Sequence, residues 1–153
     1  MDYSTGWEAG TKSLYLDDVR TPRGNHWFDW IIVRDFAEFC DYITANGVPV
    51  MISFDHDLGY SMPEYATVEE EMAAESLPFV QTDQGRFRQD VILGPSGFDA
   101  AKWLVEYCLD NNALMPHFTC HSANPAGAEN ILALLNNLQS FQGQVPNGYR
   151  TVW

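Results

Sequence analysis

Apolar and polar positions follow two rhythms along this chain. Short apolar runs that stop at ionisable residues alternate with longer stretches of helical period. "SLYLDDV" (13–19) reads as a buried strand ending at Asp17 and Asp18. "WFDWIIVR" (27–34) contains a second strand, and "VPVMISFD" (48–55) is a third that runs into Asp55, His56 and Asp57. "MPHFTCHS" (115–122) is a fourth, ending at His121 and Ser122, and "YRTVW" (149–153) adds a short edge strand. Between them, "DFAEFCDYITANG" (35–47) is a helix with Asp35 as N-cap, Glu38 at N3 and Gly47 near its end. Phe36, Phe39, Cys40 and Ile43 form its apolar face. "SGFDAAKWLVEYCLDNN" (96–112) carries a Ser96/Asp99 capping-box pattern, and "NPAGAENILALLNNLQS" (124–140) opens with Asn124 as N-cap and Pro125 at N1.

Strands that alternate with helices predict a largely parallel α/β sheet. In such sheets, ligands sit beyond the carboxyl ends of the strands. The polar clusters at Asp17-Asp18, Asp55-His56-Asp57 and His121-Ser122 therefore fall on one rim. Residues 60–94 break the rhythm: "VEEEMAAES" is acidic and helix-like, and "FVQTDQGRFRQDVIL" reads as a hairpin turning at Asp83-Gln84-Gly85. The expectation is one domain over 1–153 with a lid-like insertion at 60–94.

Composition narrows the function. The 153 residues are 46% hydrophobic, enough for a core. Net charge is −13, with 8 Lys and Arg against 21 Asp and Glu, so duplex nucleic acid is a poor partner. A small phosphorylated ligand, neutralised locally by a metal ion, is compatible with this charge. No apolar run approaches the ~20 residues of a membrane span. The N-terminus lacks a signal-peptide pattern, and three widely spaced cysteines read as reduced core thiols, so a cytoplasmic setting is expected. Oligomeric state leaves no signature.

Crowded carboxylates repel unless a hard cation joins them. Asp17, Asp18, Asp55 and Asp57 are accordingly the candidate ligands for a divalent metal, Mg²⁺ or Mn²⁺. In an extended segment Asp55 and Asp57 project to one side and His56 to the other. The helix opening at Asn124 is a candidate phosphate seat, with His121 beside it for proton transfer. Arg20 and Arg23 could bind phosphate or pair with the acidic rim, whereas His117 and His26 read as structural.

At "LYLDDVRTP", "ISFDHDLG", "SGFDAAKWLV" and "HSANPAGAENI" the sequence resembles the cyclic-phosphate-processing receiver-like family. The matches come in order from residue 14 to about 131. The resemblance implies a three-layer, flavodoxin/receiver-like, mostly parallel sheet and processing of cyclic or terminal phosphates on nucleotides or RNA ends. By motif, Asp17 and Asp18 match the acidic pair after strand one, Asp55 and Asp57 the acidic end of strand three with His56 between them, His121, Ser122 and Asn124 the "HS-x-N" segment, and Arg20 the arginine of "LDD-x-R-x-P". Read as an enzyme, the chain is expected to hold a metal on Asp17, Asp18, Asp55 and Asp57, to work through His121, His56 and Asp55, and to bind substrate through Arg20, Ser122 and Asn124. A phospho-accepting receiver is expected to carry a Lys at the end of its fifth strand. Lys12 and Lys102 are the only lysines, and neither fits. The competing functions are a signalling receiver phosphorylated on Asp55 or Asp57, and a non-catalytic nucleotide- or protein-binding module of a phage or defence system.

Overall fold

A computed structural model describes residues 12–22 and 30–151. Arg23, His26 and Trp27 lie outside these residues. The chain divides into two compact units, one formed by residues 1–58 and 95–153 and the other by Gly59–Gly94.

The first unit is built on β1 (Ser13–Leu16), β2 (Trp30–Val33), β3 (Met51–Phe54), β8 (His117–Cys120) and β9 (Tyr149–Arg150). They form one sheet in the order β2-β1-β3-β8-β9, with every neighbouring pair parallel. Counted within the sheet, that order is 2-1-3-4-5, the doubly wound arrangement of flavodoxin-like folds. The helices α1 (Phe36–Asn46), α3 (Gly97–Asp110) and α4 (Pro125–Phe141) belong to the same unit. Their ends obey the expected caps. Asp35 accepts from Glu38 N, Ser96 and Asp99 form a reciprocal box, and Asn124 accepts from Gly127 N. Gly47 closes α1 at φ +85° with its N–H on Ile43 O.

Strand alternation divides the sheet into unlike faces. Leu14, Leu16, Ile52, Phe54, Phe118 and Cys120 share one buried apolar cluster with Phe39, Ile43, Leu104, Ile131 and Leu135 of the helices. The three long helices thus cover one face. The opposite positions are Tyr15, Ser53 and Thr119, adjacent in register and all buried. Among the described residues of this unit, no helix covers that second face.

The second unit holds β4 (Tyr60–Ser61), α2 (Val68–Ala74), β5 (Phe79–Thr82), β6 (Gly85–Arg88) and β7 (Ile92–Leu93). β5 and β6 form an antiparallel hairpin around Asp83-Gln84, and β4 pairs antiparallel with β7. Asp90 joins this unit internally, accepting from Arg88 Nε at 2.5 Å and from the Tyr65 hydroxyl. Among the described residues, no helix is long and apolar enough to cross a membrane.

Candidate functional site

Backbone pairing continues one residue past the strand ends. Asp17 N donates to Val33 O at 3.1 Å, Asp55 N to Leu16 O at 2.9 Å, and His121 N to Phe54 O at 2.9 Å. The sheet's own ladder therefore holds Asp17, Asp55 and His121 side by side at the carboxyl rim.

Asp17 is fully buried and meets four donors. Its Oδ1 accepts from the backbone N–H of Val19 (2.9 Å) and Arg20 (2.7 Å). Its Oδ2 faces Arg20 Nε at 2.8 Å and His121 Nε2 at 3.0 Å. Burial alone would raise its pKa. The bonds from His121 and from the Arg20 and Val19 N–H groups, with the Arg20 charge, outweigh burial and hold it well below the usual carboxylate range. Asp55, also buried, behaves in the opposite way. Burial and the neighbouring Asp17 charge push it up to about 6, against partial relief from His121, Arg20 and the His56 N–H. Asp18 is raised as well, by burial and by Asp17.

Ligand atoms of Asp17, Asp18 and Asp55 all lie within 4.8 Å of one another. Three hard oxygen donors, two of them pushed toward protonation by burial and by Asp17, are a donor set that suits Mg²⁺ or Mn²⁺. Arg20 closes one side. Its Nη2 donates to His121 O at 3.2 Å and stands 3.5 Å from Asp55 Oδ1.

Asp57 is not in this group. The strand ends at Phe54 and the chain bends at His56, so the alternation expected to carry Asp57 beside Asp55 does not extend that far. Asp57 Oδ1 instead lies 2.6 Å from His56 Nδ1 and accepts from Asn124 Nδ2 at 3.2 Å. His56 itself is buried, packed under the first turn of α4, where a Cβ on Gly127 would lie 2.3 Å from its ring. Gly97 plays the same part for α3: a Cβ there would meet Asp55 O at 1.7 Å. His56, Asp57 and Asn124 thus form a second cluster that ties the end of β3 to the start of α4.

The α4 terminus is largely satisfied from within. Asn124 N donates to Ser122 Oγ at 3.0 Å, Gly127 N donates to Asn124 Oδ1 at 3.0 Å, and Pro125 has no N–H. Of the N–H groups that the phosphate-seat expectation relied on, this leaves Ala126 N–H open.

His121 is held on three sides. Its ring stacks on Tyr15 (4.3 Å between centroids, 6° between planes), Nδ1 lies 2.7 Å from Ser53 Oγ, and Nε2 faces Asp17. A carboxylate accepts only, so Nε2 carries the proton. Ser53 and Tyr15 escaped the sequence reading; the signal for Ser53 is a lone hydroxyl inside an apolar strand, which needs a buried partner. Two arginines escaped it too. Arg34 Nη1 donates to Asp17 O (3.2 Å) and Arg20 O (2.7 Å), bracing the loop after β1. Arg150 Nε and Nη2 donate to Ser122 O at 3.2 and 2.9 Å. Arg20 and Arg150 therefore grip the successive carbonyls of His121 and Ser122, and Arg150 ends the fifth strand of the sheet.

A parallel sheet of order 2-1-3-4-5 with an acidic carboxyl rim defines a receiver-like α/β protein. The model of the cyclic-phosphate processing receiver domain matches residues 12–137, and the chain belongs to that family. No curated protein and no solved structure matches it.

Proposed function

We propose that this chain is a metal-dependent phosphoesterase acting on cyclic or terminal phosphates of nucleotides or RNA ends. The observation that carries the reading is the convergence of Asp17, Asp18 and Asp55 within 4.8 Å, with the Arg20 guanidinium against two of them. Carboxylates and a guanidinium at one rim can hold a divalent cation and a phosphate side by side. The three aspartates are the residues that would hold the cation. When bound, it supplies positive charge that polarises a phosphate oxygen.

The remaining roles belong to the chain itself. Arg20 orients the phosphate, and Arg150 adds a second guanidinium at the same strand ends. His121 keeps its proton on Nε2 against Asp17 Oδ2, so it acts as a positioning residue that fixes the carboxylate, with Ser53 and Tyr15 fixing the ring. Asp57, His56 and Asn124 secure the backbone beneath. In the reaction a water oxygen bonds to phosphorus, the P–O bond to one ribose oxygen breaks, and a proton given up by the water ends on that departing oxygen.

The test is a substrate panel. The purified chain is incubated with 2′,3′-cyclic nucleotides, 3′,5′-cyclic nucleotides and RNA ends, with Mg²⁺, Mn²⁺ or EDTA. The expected result is metal-dependent formation of a phosphomonoester from a cyclic phosphate, or of inorganic phosphate from a terminal one, that disappears in Asp17→Asn/Asp55→Asn. Metal binding without turnover on any member would favour a binding module. A beryllofluoride adduct on Asp55 would favour a phospho-accepting receiver.

A further inference from the structure

The helix α2 presents its apolar residues to solvent. Val68 and Met72 are 67% and 62% exposed. One turn apart, they form a single stripe. At helical spacing, Glu71 and Glu75 lie along one side of that stripe and Glu69 along the other. The one buried residue of α2, Ala74, falls on the far side. A helix of seven residues is well below the ~12–15 needed for marginal stability alone, and helices in proteins are normally held by packing their apolar stripe. Here the Thr67 cap and the three glutamates of the first turn support the helix, while the stripe is left uncovered.

The surroundings select what could cover it. Residues 59–94 carry seven carboxylates against two arginines, Arg86 and Arg88. Both arginines are engaged inside the unit, Arg88 with Asp90 and Arg86 over the Phe79 ring. Seven of the thirteen exposed large hydrophobic residues among those described also lie in this unit. A second copy of a chain at −13 is repelled by such a surface, as are nucleic acid and anionic lipid. We propose that the Val68–Met72 stripe and its flanking glutamates are a docking site for a basic amphipathic protein segment. Such a segment would place apolar anchors on the stripe and Lys or Arg against Glu69, Glu71 and Glu75.

The test uses the full chain and two synthetic 18-residue Leu/Lys peptides of identical composition. One has Leu at i, i+3, i+4 and i+7, and the other is scrambled to remove the helical period. Titration by fluorescence anisotropy should show the amphipathic peptide binding at least about tenfold more tightly. Val68→Ser/Met72→Ser should erase that preference without altering the circular dichroism spectrum, since both side chains are exposed. Glu69→Gln/Glu71→Gln/Glu75→Gln should weaken both peptides and flatten the salt dependence. Equal affinity for the two peptides, or an unchanged preference in Val68→Ser/Met72→Ser, would overturn the proposal. So would wild-type self-association that is lost in that variant, because the cover would then be a second copy.

Discussion

Two regions of this protein are acidic, and they have little else in common. At the carboxyl rim of the parallel sheet, Asp17 and Asp55 are buried, close together and wired to Arg20 and His121. On α2, the glutamates stand on an exposed helix face beside bare apolar side chains. At the rim, low dielectric and crowding make each carboxylate's charge expensive, and their ionisation splits, Asp17 downward and Asp55 upward. On α2, water screens the charges, which act as a field around an apolar stripe. Acidity in a sequence therefore marks neither place as chemical; burial separates them.

Removing the rim carboxylates should break this contrast most completely. Asp17→Asn/Asp55→Asn is expected to lose Mn²⁺ affinity by more than the ~10–100-fold typical of an outer-shell loss. Glu69→Gln/Glu71→Gln should leave Mn²⁺ affinity unchanged. Calorimetric titration reads both, and equal effects from the two pairs would dissolve the distinction between the regions.

The two histidines sharpen the comparison within the rim. His121→Ala should weaken Mn²⁺ binding by about 10–100-fold, because Asp17 loses the partner that fixes Oδ2. His56→Ala should cost stability, on the order of 2 kcal/mol for a buried ring, with Mn²⁺ affinity preserved. Parallel urea denaturation and Mn²⁺ titration separate the roles. If His56→Ala abolished metal binding while His121→Ala did not, the assignments would be reversed.

Arg150 should show a split in kinetic constants. If Arg150 adds uniform phosphate binding, as proposed, Arg150→Ala raises KM by about tenfold and spares kcat. Arg86→Ala, in the other unit, should change neither. A fall in kcat at constant KM for Arg150→Ala would place that side chain in the chemical step.

A further difference within the rim concerns pH. Asp55 sits at about 6 in the folded chain against 3.8 for the free side chain, so the folded state holds its proton more tightly. Its contribution to stability is full below about 3.8 and is lost as pH rises through about 6. In EDTA, Asp55→Asn should therefore be more stable than wild type near pH 7.5, by up to about 3 kcal/mol, with the gap closing toward pH 4. Denaturation midpoints across this range check the sign. A gap that widened on acidification would mean that Asp55 is stabilised as the anion.

Much of the fold was legible in the chain because its signals are local. The caps at Asp35, Ser96 and Asn124 and the hairpin at Asp83-Gln84 each depend on residues within one turn, and the structure forms each of them. The alternation of strand and helix predicts a parallel sheet, and the carboxyl-end rule then places Asp17, Asp55 and His121 on one rim. Those inferences need only element order.

What the sequence could not decide is which neighbours on the rim face each other. Asp55, His56 and Asp57 are consecutive, yet the bend after Phe54 sends Asp55 to the carboxylate cluster and gives His56 and Asp57 to the start of α4. The direction of each side chain depended on where the strand stopped, and Gly97 and Gly127 let two helices pack against that end. Likewise Arg150 lies 28 positions from Ser122 and meets it only because β9 runs parallel beside β8. Local periodicity determined the elements and the rim. The partners across the rim were decided by packing, because a side chain's charge and protonation follow from what is buried against it.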